Sequence, residues 1–168
     1  FQAAILLQQM DKLVEETARR RENADYLSAQ LRKVPGVQPA RLPEDSRAVW
    51  HLYPLRYDAR EFSGLTRDQF TRALNAEGIP SGGGYTEQYH NGLLDEAIHS
   101  RGFKRLFSAE RLKAYRESLE ALKGNREVCA TTVCMYQSML LGSRKDMDDI
   151  VEAIRKVQAH SAAIAKAS

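Results

Sequence analysis

The stretch Val49-Trp50-His51-Leu52-Tyr53-Pro54-Leu55-Arg56-Tyr57 decides the fold class of this 168-residue chain. It is dense in aromatic and β-branched side chains, the types that fill a pleated, half-buried surface. A strand is predicted here, and Pro54, which has no N–H to donate, predicts an edge or a bulge within it. Upstream, Val37 to Leu42 reads as a second short strand, set apart by the polar loop Pro43-Glu44-Asp45-Ser46-Arg47. Far downstream, Val133 to Leu141 reads as a third. Between and around them the signals are helical. Thr66-Arg67-Asp68-Gln69 is a capping box, and Leu65 with Phe70 forms a hydrophobic staple across it; that helix should run to about Glu77 and stop at Gly78. Ser108 is placed to cap a helix reaching Lys123, with Gly124 behind it. Ser143-Arg144-Lys145-Asp146 caps a helix whose core face is Met147, Ile150, Val151, Ile154 and Val157, with a frayed end beyond His160. Strands separated by helices in this order predict an α+β layer, with helices on one side of a small, mostly antiparallel sheet.

A long helix opens the chain. Leu6, Met10, Leu13, Thr17, Arg20, Ala24, Leu27, Leu31 and Val34 recur in alternating steps of four and three, which place them on one helix face. At 1.5 Å per residue such a helix spans about 50 Å. Thr17, Arg20 and Ala24 weaken the middle of the stripe and argue against a free-standing coiled coil. A helix that crosses between two packed bodies accounts for the interruption, and Pro35-Gly36 ends it. The start, Phe1-Gln2-Ala3-Ala4-Ile5-Leu6-Leu7, lacks a capping residue and reads as helix interior, so further residues are expected upstream. The expected organisation is a connecting helix over 1–34, then an α+β body over 35–168 that includes a loop at 79–107.

Composition narrows the function classes. Hydrophobic residues make up 43% and charged residues 28%, ordinary for a globular domain. The net charge of +3 is too small to argue for nucleic acid or a membrane surface, and Arg19-Arg20-Arg21 reads as a solvated helix face. Cys129 and Cys134 fit neither a redox motif nor a zinc site, which leaves them as buried or half-buried thiols. No run of about 18 apolar residues and no leader pattern is present, so the cytoplasm is the expected compartment.

The chemistry-bearing residues gather in 79–107. Ser81-Gly82-Gly83-Gly84 is permissive backbone, and Tyr85, Tyr89 and His90 follow closely; Leu93 to Ile98 makes one or two helical turns. Long irregular connections usually bind something. Phenol and imidazole both donate and accept, so these three side chains suit a polar ligand, though packing aromatics on the domain would use the same residues. The glycines are not followed by G-K-S/T or by a helix, so they read as a hinge rather than a phosphate cradle. His51 reads as a structural histidine, Trp50 as core, and His99 and His160 as surface.

Several segments together resemble one family. Ala3-Ala4-Ile5-Leu6-Leu7 with Leu13 and Arg19-Arg20-Arg21-Glu22-Asn23-Ala24 is similar to the helix that opens the carboxy-terminal region of DegT/StrS sugar aminotransferases. Trp50-His51-Leu52-Tyr53-Pro54-Leu55-Arg56 resembles the strand that follows. Gly78-Ile79-Pro80 resembles the turn into the active-site loop. Leu140-Leu141-Gly142, Asp146-Met147-Asp148-Asp149-Ile150 and Ala153-Ile154-Arg155-Lys156-Val157 resemble the closing strand and helix. The order and spacing of these pieces carry the resemblance; no piece does so alone.

The resemblance implies a fold-type I aminotransferase, commonly a homodimer, that uses pyridoxal phosphate to move an amino group from glutamate or glutamine to a ketosugar or ketocyclitol. The cofactor's Schiff-base lysine and acidic partner would belong to an amino-terminal catalytic domain. None of Lys12, Lys33, Lys104, Lys113, Lys123, Lys145, Lys156 or Lys166 sits in an S-x-x-K-like setting. No catalytic, cofactor-binding or metal-binding residue is therefore assigned to this chain, which is expected to be inactive alone. Its share would be substrate recognition through Tyr85, Tyr89 and His90. Many members carry His-Tyr after the Gly-Ile turn, whereas here Gly82-Gly83-Gly84 precedes Tyr85. That version resembles the branch that aminates ketocyclitols such as scyllo-inosose. The competing readings are a non-catalytic helical protein-interaction module built on the long helix, and a nucleic-acid binder using Arg19 to Arg21, which the near-neutral charge disfavours.

Overall fold

A computed structural model describes residues 1–167. Four strands, β1 (Val37–Pro39), β2 (Leu52–Tyr57), β3 (Ser81–Gly83) and β4 (Thr132–Tyr136), form one antiparallel sheet in the order β1-β2-β4-β3. The helices are α1 (Gln2–Leu31), α2 (Arg67–Ala76), α3 (Leu93–His99), α4 (Arg101–Leu106), α5 (Ala109–Ser118), α6 (Lys123–Thr131), α7 (Arg144–Ala159) and α8 (Ser161–Lys166). The chain divides into two units, Phe1–Gly83 with Thr132–Ser168, and Gly84–Thr131. The α+β class expected from sequence is the class observed, while the 35–168 body is split between the two units.

In the larger unit, the two-residue period of β2 puts Tyr53, Leu55 and Tyr57 into the core and leaves Arg56 in solvent. They share one hydrophobic cluster with Ala24, Leu27 and Leu31 of α1, Phe70 and Leu74 of α2, and Met147, Ile150 and Ile154 of α7. Both phenols are satisfied. Tyr53 Oη lies 2.7 Å from Ser28 Oγ, and Tyr57 Oη donates to the Leu65 carbonyl at 2.7 Å. Burial pushes the Tyr53 phenol up to about 12 and raises that of Tyr57 as well. Tyr57 also stacks on Phe70 at 4.4 Å, with Phe62 edge-on to Phe70 at 5.1 Å.

The caps read from sequence are present. Thr66 and Gln69 form a reciprocal box at the start of α2, with Leu65 and Phe70 fully buried, and Ser143 and Asp146 do the same for α7. At the other end of α2, Gly78 (φ +83°) lets its N–H donate to the Asn75 carbonyl at 3.1 Å while Ile79 N–H donates to Leu74 at 2.9 Å. This double bond pattern is the Schellman closure, and only Gly adopts that φ without strain.

Several boundaries differ from the sequence reading, each for a physical reason. The strand begins at Leu52 because Trp50, buried at 7% exposure, has φ +48°, incompatible with extended backbone. Pro54 is not on an edge strand, since β2 lies between β1 and β4. Its pairing with β1 nevertheless stops at Leu55, so at Pro54 the ladder has β4 alone as partner. The first strand ends at Pro39 and not at Leu42. The stretch expected as strand over Val133 to Leu141 becomes a 3-10 turn from Gln137 onward, because the buried Asn23 amide draws in the Leu140 and Gly142 carbonyls at 2.9 and 3.0 Å. Past His160 the stretch Ser161–Lys166 is helical and not frayed: Ser161 is buried and shares a hydrogen bond with Ser63 at 3.0 Å.

The 79–107 stretch is not one irregular loop, because it holds β3, a 3-10 turn at Gln88–His90, α3 and α4. Asn75 explains β3: its side chain accepts from Ser81 N–H at 3.0 Å and donates to the Ser81 carbonyl at 2.9 Å. Ser100 caps α4, whose six residues are too few to show a periodicity. Ser108 caps its helix as expected, but that helix ends at Ser118, and Gly124 lies inside α6 rather than stopping a helix. Glycine with an ordinary helical φ is tolerated in a helix at a cost of about 1 kcal/mol. The opening helix uses its stripe over one half only. Ala24, Leu27, Leu31 and Val34 are buried, whereas Leu6, Met10 and Leu13 remain 55–62% exposed.

Gly36 and Gly78 both have positive φ, but only at Gly36 would a Cβ collide, 2.6 Å from Glu61 Cβ. Gly78→Ala should cost about 1–2 kcal/mol from backbone strain alone. Gly36→Ala should cost about 2–4 kcal/mol, since overpacking adds to that strain. Urea unfolding midpoints of the two variants would give the comparison, and equal losses would contradict it.

Candidate functional site

Tyr85, Tyr89 and His90 belong to the smaller unit and fall into two groups. Tyr85 is 69% exposed, just past the glycine run. Tyr89 and His90 sit on the 3-10 turn Gln88–His90, closed by the His90 N–H donating to the Glu87 carbonyl at 2.9 Å. Gly92, at φ +87°, then lets the chain turn into α3. The Tyr89 ring is buried, its hydroxyl donates to the Glu87 carboxylate, and the His90 imidazole meets it edge-on at 4.4 Å.

From His90 a charged network extends across the unit. Nε2 lies 3.2 Å from Glu120 Oε1, and Nδ1 lies 3.8 Å from Glu87. Arg116, on α5, donates to the same Glu120 oxygen at 2.9 Å and to Asp95 of α3 at 2.8 Å. Arg126, on α6, donates to the Glu120 carbonyl at 3.1 Å and lies 3.6 Å from the Glu87 carboxylate. Three carboxylates therefore face two guanidinium groups, and one negative charge remains while His90 is neutral.

The electrostatics follow from these contacts. The hydrogen bond to Glu87, aided by burial, holds the Tyr89 phenol above its ordinary range. Arg116, then His90, hold the Glu120 carboxyl below its own. Arg116 is raised by Glu120 and Asp95. Tyr89 is thus a neutral donor committed to a carboxylate. His90 is exposed and bridges two acids, and Tyr85 presents its hydroxyl to solvent.

Sequence reasoning named Tyr85, Tyr89 and His90 but missed Glu87, Arg116, Glu120 and Arg126. Only the Arg116–Glu120 pair had a signal, the four-residue spacing on a helix. Of the other histidines, His51 is exposed ahead of β2 and is not the structural strand residue expected, while His99 and His160 are exposed as expected. Trp50 is core. Cys129 is half-buried and Cys134 buried, where desolvation raises the Cys134 thiol. Among the described residues no group of three or more His, Cys, Asp or Glu could hold a metal ion, and no helix is long and apolar enough to cross a membrane.

The model of the DegT/DnrJ/EryC1/StrS aminotransferase family matches residues 1–113. The chain belongs to that family. It is 32% identical to the L-glutamine:2-deoxy-scyllo-inosose aminotransferase of Streptomyces kanamyceticus, over 98% of this chain and 38% of that protein. It is 29% identical to the L-glutamine:scyllo-inosose aminotransferase of Streptomyces griseus, over 94% of this chain and 37% of the relative. The chain thus spans less than two-fifths of the length of these relatives. Among solved structures, 3-amino-5-hydroxybenzoic acid synthase superposes with a TM-score of 0.67 at 20% identity, covering 94% of this chain and 38% of that one. That likeness is one of fold.

Pyridoxal phosphate, which the family implies, needs a lysine amine in an enclosed site. All eight lysines of this chain are exposed. Its residues do not fit the cofactor.

A carboxylate whose folded pKa is depressed adds stability above its ordinary pKa, and that stability is lost as pH falls through the depressed value. Glu120→Gln should therefore flatten the acid limb of the stability profile, measured by urea unfolding between about pH 5 and pH 2. An unchanged limb would show that the network does not form.

Proposed function

We propose that this chain is the substrate-side, carboxy-terminal small domain of a pyridoxal-phosphate-dependent aminotransferase that transfers an amino group from glutamine or glutamate to a ketocyclitol or ketosugar. One observation carries this reading: members of its family align with almost the whole chain, yet the chain covers only 38% of such a relative. The exposed lysines support it, since the cofactor would then be held by the protein's own amino-terminal domain. On this reading α1 is the connecting element. Its uncovered side chains, Ile5, Leu6, Leu7, Met10 and Val14, at 58–82% exposure, would pack on that domain in a cytoplasmic homodimer.

Within the smaller unit, Tyr85 and His90 are assigned to hydroxyl recognition. Tyr89 and Glu87 position the His90 ring rather than contacting substrate. The glycines before Tyr85 leave no imidazole where many family members have one. Together with relatives that are named as scyllo-inosose aminotransferases, this favours a ketocyclitol over a nucleotide-linked sugar.

Full-length protein should bind a cofactor absorbing in the visible and aminate scyllo-inosose with glutamine as donor. Losing one hydrogen bond weakens binding by up to about tenfold. Tyr85→Phe and His90→Ala should each raise KM for the keto substrate by about that factor while leaving KM for glutamine unchanged. Equal effects on both substrates would remove these residues from the sugar side. A colourless full-length protein that tolerates both changes would instead favour a helical interaction module built on the exposed half of α1.

A further inference from the structure

The smaller unit contains a cleft that the proposed transamination does not use. It has a volume of about 500 Å³; its apolar lining includes Ile98, Phe107 and Leu112, and its charged lining is Lys104, Lys113, Arg116 and one acid, Glu117. That volume lies within the range of small-molecule sites. Ile98 and Leu112 are among the few buried apolar residues of this unit, so the cleft reaches its small core. A polyhydroxylated ring would leave its hydroxyls unpaired against such a lining.

The charges around the cleft are one-sided. Its lining holds Lys104, Lys113 and Arg116 against the single carboxylate of Glu117. Arg116 lines the cleft, but its charge is taken up by Glu120 and Asp95. Among the described residues Lys113 has only a loose partner, Glu117 at 3.9 Å, which also lines the cleft, so Lys104 is the cation left to an anion's head and Lys113 the second. Among the described residues Lys104 has no acidic partner within 4.0 Å. Lysine stems lie readily along apolar surface while the ammonium heads stay at the mouth. The His99 Nδ1–H donates to the Asp95 carbonyl at 2.7 Å, which fixes the ring beside them.

We infer that this cleft binds a small organic anion with an apolar body, such as a medium-chain or aryl carboxylate, its head held by Lys104 and Lys113 and its body by Ile98, Phe107 and Leu112. The site stands independently of the aminotransferase reading, because it rests on the cleft's own lining and charges.

Isothermal titration of the protein with octanoate tests it, with octan-1-ol and acetate as controls. Octanoate should bind saturably and at least tenfold more tightly than either control. Lys104→Gln combined with Lys113→Gln should weaken octanoate at least tenfold, whereas Lys33→Gln combined with Lys145→Gln should not. These four lysines are exposed, and an unchanged circular dichroism spectrum would establish that the variants fold. The proposal is overturned if octan-1-ol matches octanoate, if acetate matches it, if the Lys104/Lys113 pair has no effect, or if no saturable binding is seen.

Discussion

Tyr53 and Tyr57 point from the middle strand into the core of the larger unit, and each brings a hydroxyl that would be expensive to bury alone. Ser28 of α1 meets the first, and the Leu65 carbonyl before α2 meets the second. Each bond can form only if the helix or turn that supplies it sits at one height over the sheet. The two hydroxyls therefore set the register of α1 and of the entry to α2 against β2, while the surrounding apolar cluster supplies the driving force. Around that centre the other features follow. Asn23, one turn before Leu27 on α1, captures the carbonyls after β4, and Asn75 at the end of α2 pins β3. Polar side chains thus place the strands that hydrophobic pattern alone leaves loose.

The smaller unit is built on a different balance. Tyr89, Ile98 and Leu112 are its buried apolar side chains among the described residues, and Leu93, Leu106 and Phe107 stay 45–76% exposed. Cohesion comes instead from Glu87, His90, Arg116, Glu120 and Arg126, which tie its helices through a shared carboxylate. Exposed pairs of this kind are individually weak and sensitive to salt. Such a unit opens locally more readily than one closed by a packed core.

Both capping boxes and the apolar face of α7 were legible in the sequence because their signals are local: a polar side chain reaching three residues ahead, or a repeat within one helix. The α+β class was legible for a similar reason, since one aromatic-rich strand and two capped helices already constrain the layers. The candidate site was legible only in part. Tyr85, Tyr89 and His90 stood out by type and by closeness to the glycines, but Glu120 and Arg126 lie 30 and 36 residues beyond His90, and nothing local links them. Likewise β3 depends on Asn75, whose side chain shows no strand signal of its own.

What the sequence determined by itself was where helices begin, which faces are apolar, and that the order of segments resembles DegT/StrS aminotransferases. It also established that eight lysines are present, none in the setting a Schiff base requires. What only the tertiary structure decided was partnership. It showed that Tyr89 is committed to Glu87 while Tyr85 remains in solvent, and that the apolar stripe of α1 is buried at one end and bare at the other. The physical reason is range: caps and periodicity act within a few residues, whereas burial and ion pairing depend on which distant segments the folded chain brings together.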